Sequence, residues 1–125
     1  MKIMLVDDSR MMRNIQKGVL MQLGHRDFVE AGDGRDALAQ ATADPPDLIL
    51  LDWHMPEMDG LSFLKAFRST DTTTPVIMVT TEVERARIND ALHAGANNYM
   101  LKPFTPETLG AAITQTMRKP AGAVP

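Results

Sequence analysis

The chain contains no cysteine. That absence removes disulfide scaffolds, thiolate metal sites and cysteine nucleophiles, while constraining the redox compartment only weakly. Long apolar runs are missing too. The longest uninterrupted aliphatic stretches are four residues, such as 3–6 and 48–51, where a bilayer-spanning helix needs about 20. Basic charge is in short supply: 13 Lys and Arg face 16 Asp and Glu, a formal net charge of −3. Non-specific nucleic-acid binding draws on clustered cations, so this balance argues against it. The start, Met1-Lys2-Ile3-Met4-Leu5-Val6-Asp7, reaches an acid too early for a secretory signal. No membrane and no nucleic-acid partner is expected, and the expected location is the cytoplasm.

What is present has the balance of an ordinary soluble domain, 44% hydrophobic and 23% charged over 125 residues. A chain of that length forms one domain and buries roughly two thirds of its unfolded surface. Three of the four-residue apolar runs end on polar residues that bear chemistry. Residues 3–6 run into Asp7-Asp8, 48–51 into Asp52, and 76–79 into Thr80-Thr81; a shorter run, Tyr99-Met100-Leu101, ends at Lys102. Short runs without polar alternation suit strands covered on both faces, as in a parallel sheet.

Segments with helical spacing separate the runs. Met12, Ile15, Val19, Leu20 and Leu23 form one stripe, with Gly24 as its stop. Leu61, Leu64 and Phe67 form a second after Asp59, an N-cap residue. Ile88, Ala91 and Leu92 form a third, closed by Gly95. Leu109, Ala112, Ile113, Thr116 and Met117 form a fourth, opened by Thr105 as N-cap and Pro106 at the first helical position. A short helix over about 35–42 and a weak strand near Phe28-Val29 complete five β-α units. The expected fold is α/β: a doubly wound parallel sheet with helices on both faces. The domain is expected over 1–119, with 120–125 as a frayed tail.

In an open parallel sheet, ligands bind beyond the carboxyl ends of the strands, where the strand order reverses. Asp7, Asp8, Asp52, Thr80 and Lys102 end the runs and therefore share one rim. Three carboxylates and one ammonium leave a net charge of −2, costly at close quarters without a cation. Hard oxygen ligands with no His or Cys partner suit Mg²⁺, with Mn²⁺ as the alternative. A carboxylate beside such an ion serves as a nucleophile toward phosphorus. Asp52, ending the central run, is the best nucleophile, and Asp7 and Asp8 are better cast as metal holders.

The same residues carry a resemblance. Leu5-Val6-Asp7-Asp8-Ser9-Arg10, Leu50-Leu51-Asp52-Trp53-His54-Met55-Pro56-Glu57-Met58-Asp59-Gly60, Val76-Ile77-Met78-Val79-Thr80-Thr81-Glu82 and Ala94-Gly95-Ala96-Asn97-Asn98-Tyr99-Met100-Leu101-Lys102-Pro103-Phe104 stand in this order and spacing. Over residues 2–118 the chain resembles receiver domains of bacterial two-component response regulators, most closely single-domain chemotaxis regulators of the CheY type. The resemblance implies the flavodoxin-like strand order 2-1-3-4-5. It implies that Asp52 takes a phosphoryl group from a sensor kinase histidine, and that the protein is no enzyme beyond promoting its own Mg²⁺-dependent phosphorylation and dephosphorylation. Asp8, Asp52 and the backbone carbonyl of His54 would hold Mg²⁺, with Asp7 acting through water. Thr80 and Lys102 would contact the phosphoryl oxygens, and Thr80 and Tyr99 would form the switch. His54, Thr81 and Glu82 would set phosphoryl lifetime. A proline at 103 would let a cis bond aim Lys102.

The implied output surface spans residues 85–117, and the implied downstream partner is a protein such as a flagellar switch component. A phosphatase is a further possible partner, and the chain is expected to be monomeric. A phosphorelay shuttle or kinase-regulating receiver is the alternative within this class. A haloacid-dehalogenase-type phosphatase would need a second Asp two residues after the nucleophile, where this chain has His54. A flavodoxin-like flavin carrier would meet Asp7-Asp8 where its phosphate loop belongs.

Overall fold

The computed structural model describes residues 1–81, 85–102 and 104–118. Glu82, Pro103 and the expected tail at 120–125 lie outside them. Among the described residues, five strands and five helices alternate. They are β1 (Lys2–Val6), α1 (Arg10–Gln22), β2 (Asp27–Ala31), α2 (Gly34–Ala43), β3 (Leu48–Asp52), α3 (Gly60–Arg68), β4 (Val76–Thr80), α4 (Ile88–His93), β5 (Asn98–Leu101) and α5 (Pro106–Met117), with a 3₁₀ turn at Arg85–Arg87 leading into α4. The strands form one sheet in the order β2-β1-β3-β4-β5, every neighbouring pair parallel. The expected α/β class and strand order are both present.

Burial on both faces explains the unbroken apolar runs. Met4, Val6, Ile49, Leu51, Val76 and Met78 point to one layer, with Ala37 and Ala41 of α2, Phe63, Leu64 and Phe67 of α3, and Ala91 of α4. Ile3, Leu5, Leu48, Leu50, Ile77 and Val79 point to the other, with Leu20 of α1 and Leu109, Ala112 and Ile113 of α5. Alternate residues of each strand therefore serve opposite cores, so every position in the run must be apolar. Phe63 and Phe67, one helical turn apart, stack with centroids 5.5 Å apart.

Three helical stripes each carry one expected member that is exposed instead. On α1 the buried line runs through Gln16 and Leu20, while Ile15 is 49% exposed. Residues 16 and 20 are one turn apart on the inward face, and Ile15 sits about 100° round from Gln16. On α4, Ile88 and Ala91 face inward and Leu92 is exposed; on α5, Thr116 is buried and Met117 exposed. The rest of the α4 and α5 stripes, Ile88, Ala91, Leu109, Ala112, Ile113 and Thr116, is buried as expected.

The amino-terminal side of the sheet is fastened by Arg68 at the end of α3. Its guanidinium donates to the carbonyls of Gly95 (3.0 Å), Asp71 (3.1 Å) and Thr74 (2.7 Å) and to Asn97 Oδ1 (3.0 Å). Asn97 Oδ1 also accepts from the Val76 N–H. One planar fork thus ties α3 to the entries of β4 and β5, leaving the opposite rim to carry chemistry.

Candidate functional site

The chain leaves β1 toward β2 on one side and enters β3 on the other, so the order reverses between β1 and β3. Asp7 follows β1 and Asp52 ends β3, the two strands flanking that crevice. Asp7, Asp8 and Asp52 each bring a carboxylate oxygen to within 4.8 Å of the others. Asp7 is 2% and Asp52 9% exposed, whereas Asp8 faces solvent.

Local structure aims these groups. Asp7 Oδ1 accepts the Ser9 N–H at 2.8 Å, and the Asp7 N–H donates to the Ala31 carbonyl. Ser9, rather than either aspartate, caps α1 by accepting from the Met12 N–H. The caps anticipated at Asp59 and Thr105 are present, and Asp33 caps α2. Behind Asp52 the chain folds back so closely that a Cβ on Gly60 would stand 2.3 Å from the Asp52 carbonyl oxygen. Only glycine fits there.

Lys102, just past β5, spans the end of β4. Its ammonium lies 3.1 Å from Asp52 Oδ1 and 3.6 Å from Asp7 Oδ2. Its backbone N–H donates to the Thr80 carbonyl at 2.7 Å. Thr80 is fully buried and its hydroxyl donates to the Thr81 carbonyl at 3.2 Å. Tyr99 is half-buried and packs against the core facing α2, α3 and α4. His54 is exposed and Thr81 half-buried, both at the same rim.

The electrostatics show the strain of this arrangement. Burial pushes the Asp52 carboxyl above its ordinary value, the Asp7 charge adds to the rise, and Lys102 only partly offsets both. Burial disfavours the Lys102 cation, but Asp52 and Asp7 outweigh it and hold its pKa above the ordinary value. Asp7 Oδ2 is buried with no hydrogen-bond partner. Its one ion pair, to the Lys102 ammonium at 3.6 Å, is long and shared with Asp52, and a buried anionic oxygen so weakly satisfied is costly. Oxygen-only donors, a net negative cluster and an oxygen that accepts no hydrogen bond all fit Mg²⁺.

Sequence reasoning missed Arg13. From α1 it donates to the Asp7 carbonyl and to Glu30 Oε1, and Lys17 donates to Glu30 Oε2. An arginine and a lysine four residues apart on a helix also describe an ordinary solvated face, so no sequence signal separated them.

The comparisons with known proteins agree with this geometry. The family described as "Response regulator receiver domain" matches residues 3–114. The chain is 46% identical to chemotaxis protein CheY1 of Helicobacter pylori over 112 residues, covering 87% of this chain and 90% of that protein. It is 42% identical to a chemotaxis protein CheY homolog of Campylobacter jejuni, covering 98% and 96% of the two chains. Among solved structures, chemotaxis protein CheY4 of Vibrio cholerae superposes with a TM-score of 0.82 at 37% identity, covering 92% of this chain and 97% of that one. The receiver domain of NtrX from Brucella abortus superposes with a TM-score of 0.86 at 27% identity, covering 94% and 98%. With the strand order, the acidic rim and these relatives in agreement, the chain belongs to the response regulator receiver domain family.

Proposed function

We propose that Asp52 is the phosphoacceptor of this domain, served by Lys102, Thr80 and an acidic Mg²⁺ pocket. The chain is a phosphorylation-activated response regulator of the chemotaxis type, a signalling protein rather than a turnover enzyme. The observation that carries the site assignment is the meeting of Asp7, Asp8 and Asp52 with the Lys102 ammonium on one rim.

Asp52 presents a carboxylate oxygen to the phosphorus of a phosphohistidine on a sensor kinase. The new O–P bond forms as the P–N bond breaks, and the imidazole leaves with its electron pair. Asp8, Asp52 and the His54 carbonyl would hold Mg²⁺, with Asp7 reaching it through water; when bound, the ion neutralises charge on the phosphoryl oxygens. Lys102, already at the Asp52 carboxylate, neutralises a further oxygen. The Thr80 hydroxyl exchanges its carbonyl partner for a phosphoryl oxygen. Tyr99 then turns toward the space Thr80 has left, remodelling the surface over residues 85–117. Loss of the signal is attack by water on the phosphorus, with His54, Thr81 and Glu82 controlling its approach. The domain is expected to act as a cytoplasmic monomer on a downstream protein such as a flagellar switch component, with a phosphatase as a further partner. No helix among the described residues is long and apolar enough to cross a membrane.

The test is partner affinity with and without the phosphoryl group. Driving a two-state switch from 1:99 to 99:1 takes about 5.5 kcal/mol of differential interaction. Thr80→Ala should remove part of the phosphorylation-induced gain in affinity for the downstream protein while leaving Asp52 labelling in place. An undiminished gain would place the coupling elsewhere.

A further inference from the structure

Trp53, the residue after Asp52, is 1% exposed. The Arg87 guanidinium lies over its ring, 5.0 Å from the centroid. The ring is buried in the same core as Phe63, Phe67 and Ala91. Its backbone is hydrogen-bonded: the Gly60 N–H donates to the Trp53 carbonyl at 2.8 Å. Trp53 also bears on the site directly, since its backbone N–H is among the groups that stabilise the Asp52 carboxylate.

Arg87 is the exposed half of the pair. It closes the 3₁₀ turn and stands at the N-cap position of α4. The other helices open on side-chain caps from Ser9, Asp33, Asp59 and Thr105. Helix α4 has six residues, no side-chain cap, and a cation where the helix dipole favours an anion. Burial of Ile88, 7% exposed, and the ring contact of Arg87 therefore hold its start in place.

We propose that the Arg87–Trp53 contact is a clasp that ties the start of α4 to the residue beside the phosphoacceptor and favours the resting arrangement, making Arg87 a positioning residue that sets how readily the domain switches. The clasp rests on the phosphoacceptor reading given above. Remodelling of the surface over residues 85–117, the reading given above, displaces Arg87, while the Trp53 ring stays buried in the core. A contact made in the resting state and lost in the switched state lowers the switched population. For an exposed cation–π pair the factor is roughly two- to fivefold. Apparent affinity for a phosphoryl mimic scales with the competent fraction, so it should change by the same factor.

Trp53 is the sole tryptophan of the chain, and its emission reads the contact directly. Beryllofluoride, a phosphoryl mimic, is titrated with Mg²⁺ saturating into the wild type, Arg87→Lys and Arg87→Ala, with thermal unfolding followed in parallel. Arg87→Ala should show altered emission before beryllofluoride is added and should bind it roughly two- to fivefold more tightly, with Arg87→Lys between. A merely structural role would lower the unfolding midpoint without tightening binding, and that result overturns the clasp. Equal affinities in all three proteins, with the wild type responding, overturn it too. A wild type that neither responds to beryllofluoride nor takes label at Asp52 overturns the phosphoacceptor reading, and the clasp with it.

Discussion

Lys102 and Asp52, fifty residues apart in sequence, meet at 3.1 Å across the end of the strand that separates theirs. The lysine does not cancel the local charge, because Asp7 shares the same ammonium at 3.6 Å. Burial and the Asp7 charge therefore leave the Asp52 pKa above its ordinary 3.8.

The folded state thus holds the Asp52 proton more tightly than the unfolded chain does. Ionising Asp52 costs stability, and the cost develops as pH rises from 3.8 through the folded value and persists at neutral pH. Lys102 has the opposite sense: its raised pKa stabilises the fold at neutral pH, a contribution lost as pH climbs above 10.5 through the folded value. Without divalent cations, Asp52→Asn should raise the unfolding midpoint at pH 7. The difference from wild type should shrink as pH falls toward 3.8. Thermal unfolding of both proteins across that range checks the sign, and a lower midpoint for Asp52→Asn at pH 7 would contradict it.

Asp7 Oδ2 accepts no hydrogen bond and has only a 3.6 Å ion pair to Lys102, so the proposed Mg²⁺ should relieve the acidic rim. Mg²⁺ should stabilise the fold by about 2.7 kcal/mol at a hundredfold excess over its Kd. Asp8→Asn should flatten the response, and a chelator should reverse it. Unfolding in urea at graded Mg²⁺ measures the effect, and a midpoint indifferent to Mg²⁺ would count against the site.

Two glycines should respond to alanine in opposite directions. At Gly60 the new methyl meets the Asp52 carbonyl oxygen at 2.3 Å, so Gly60→Ala should cost about 2–3 kcal/mol and slow phosphorylation by displacing Asp52. Gly18, inside α1, has nothing within 4 Å of its added Cβ. Gly18→Ala should stabilise by about 0.5–1 kcal/mol and leave phosphorylation unchanged. Urea unfolding and an acetyl phosphate uptake assay on the pair separate space from chemistry.

The rim was readable in the sequence because run ends in a parallel sheet converge. Once residues 3–6, 48–51 and 76–79 are strands, Asp7, Asp52 and Thr80 have no other place to be. Lys102 follows from the β5 run by the same argument. The edges of the helical stripes were not readable to one residue. On α1, Val19, Leu20 and Leu23 meet the core as expected, but at the edge of the stripe Ile15 is exposed and Gln16 is buried. The Arg68 hub was invisible for a different reason: three of its four acceptors are backbone carbonyls, which carry no residue signature. The Arg87–Trp53 pair lies 34 positions apart, and either residue alone reads as ordinary.

The most direct test of the account is the identity of the phosphorylated residue. Acetyl phosphate with Mg²⁺ should add a single phosphoryl group to the wild-type chain, labile at alkaline pH as an acyl phosphate is. Intact-mass spectrometry with and without chelator, followed by mapping of the modified peptide, should place it on Asp52 and find none on Asp52→Asn. Labelling of Asp52→Asn at the wild-type level, or a wild type that takes up no phosphoryl group, would contradict the account.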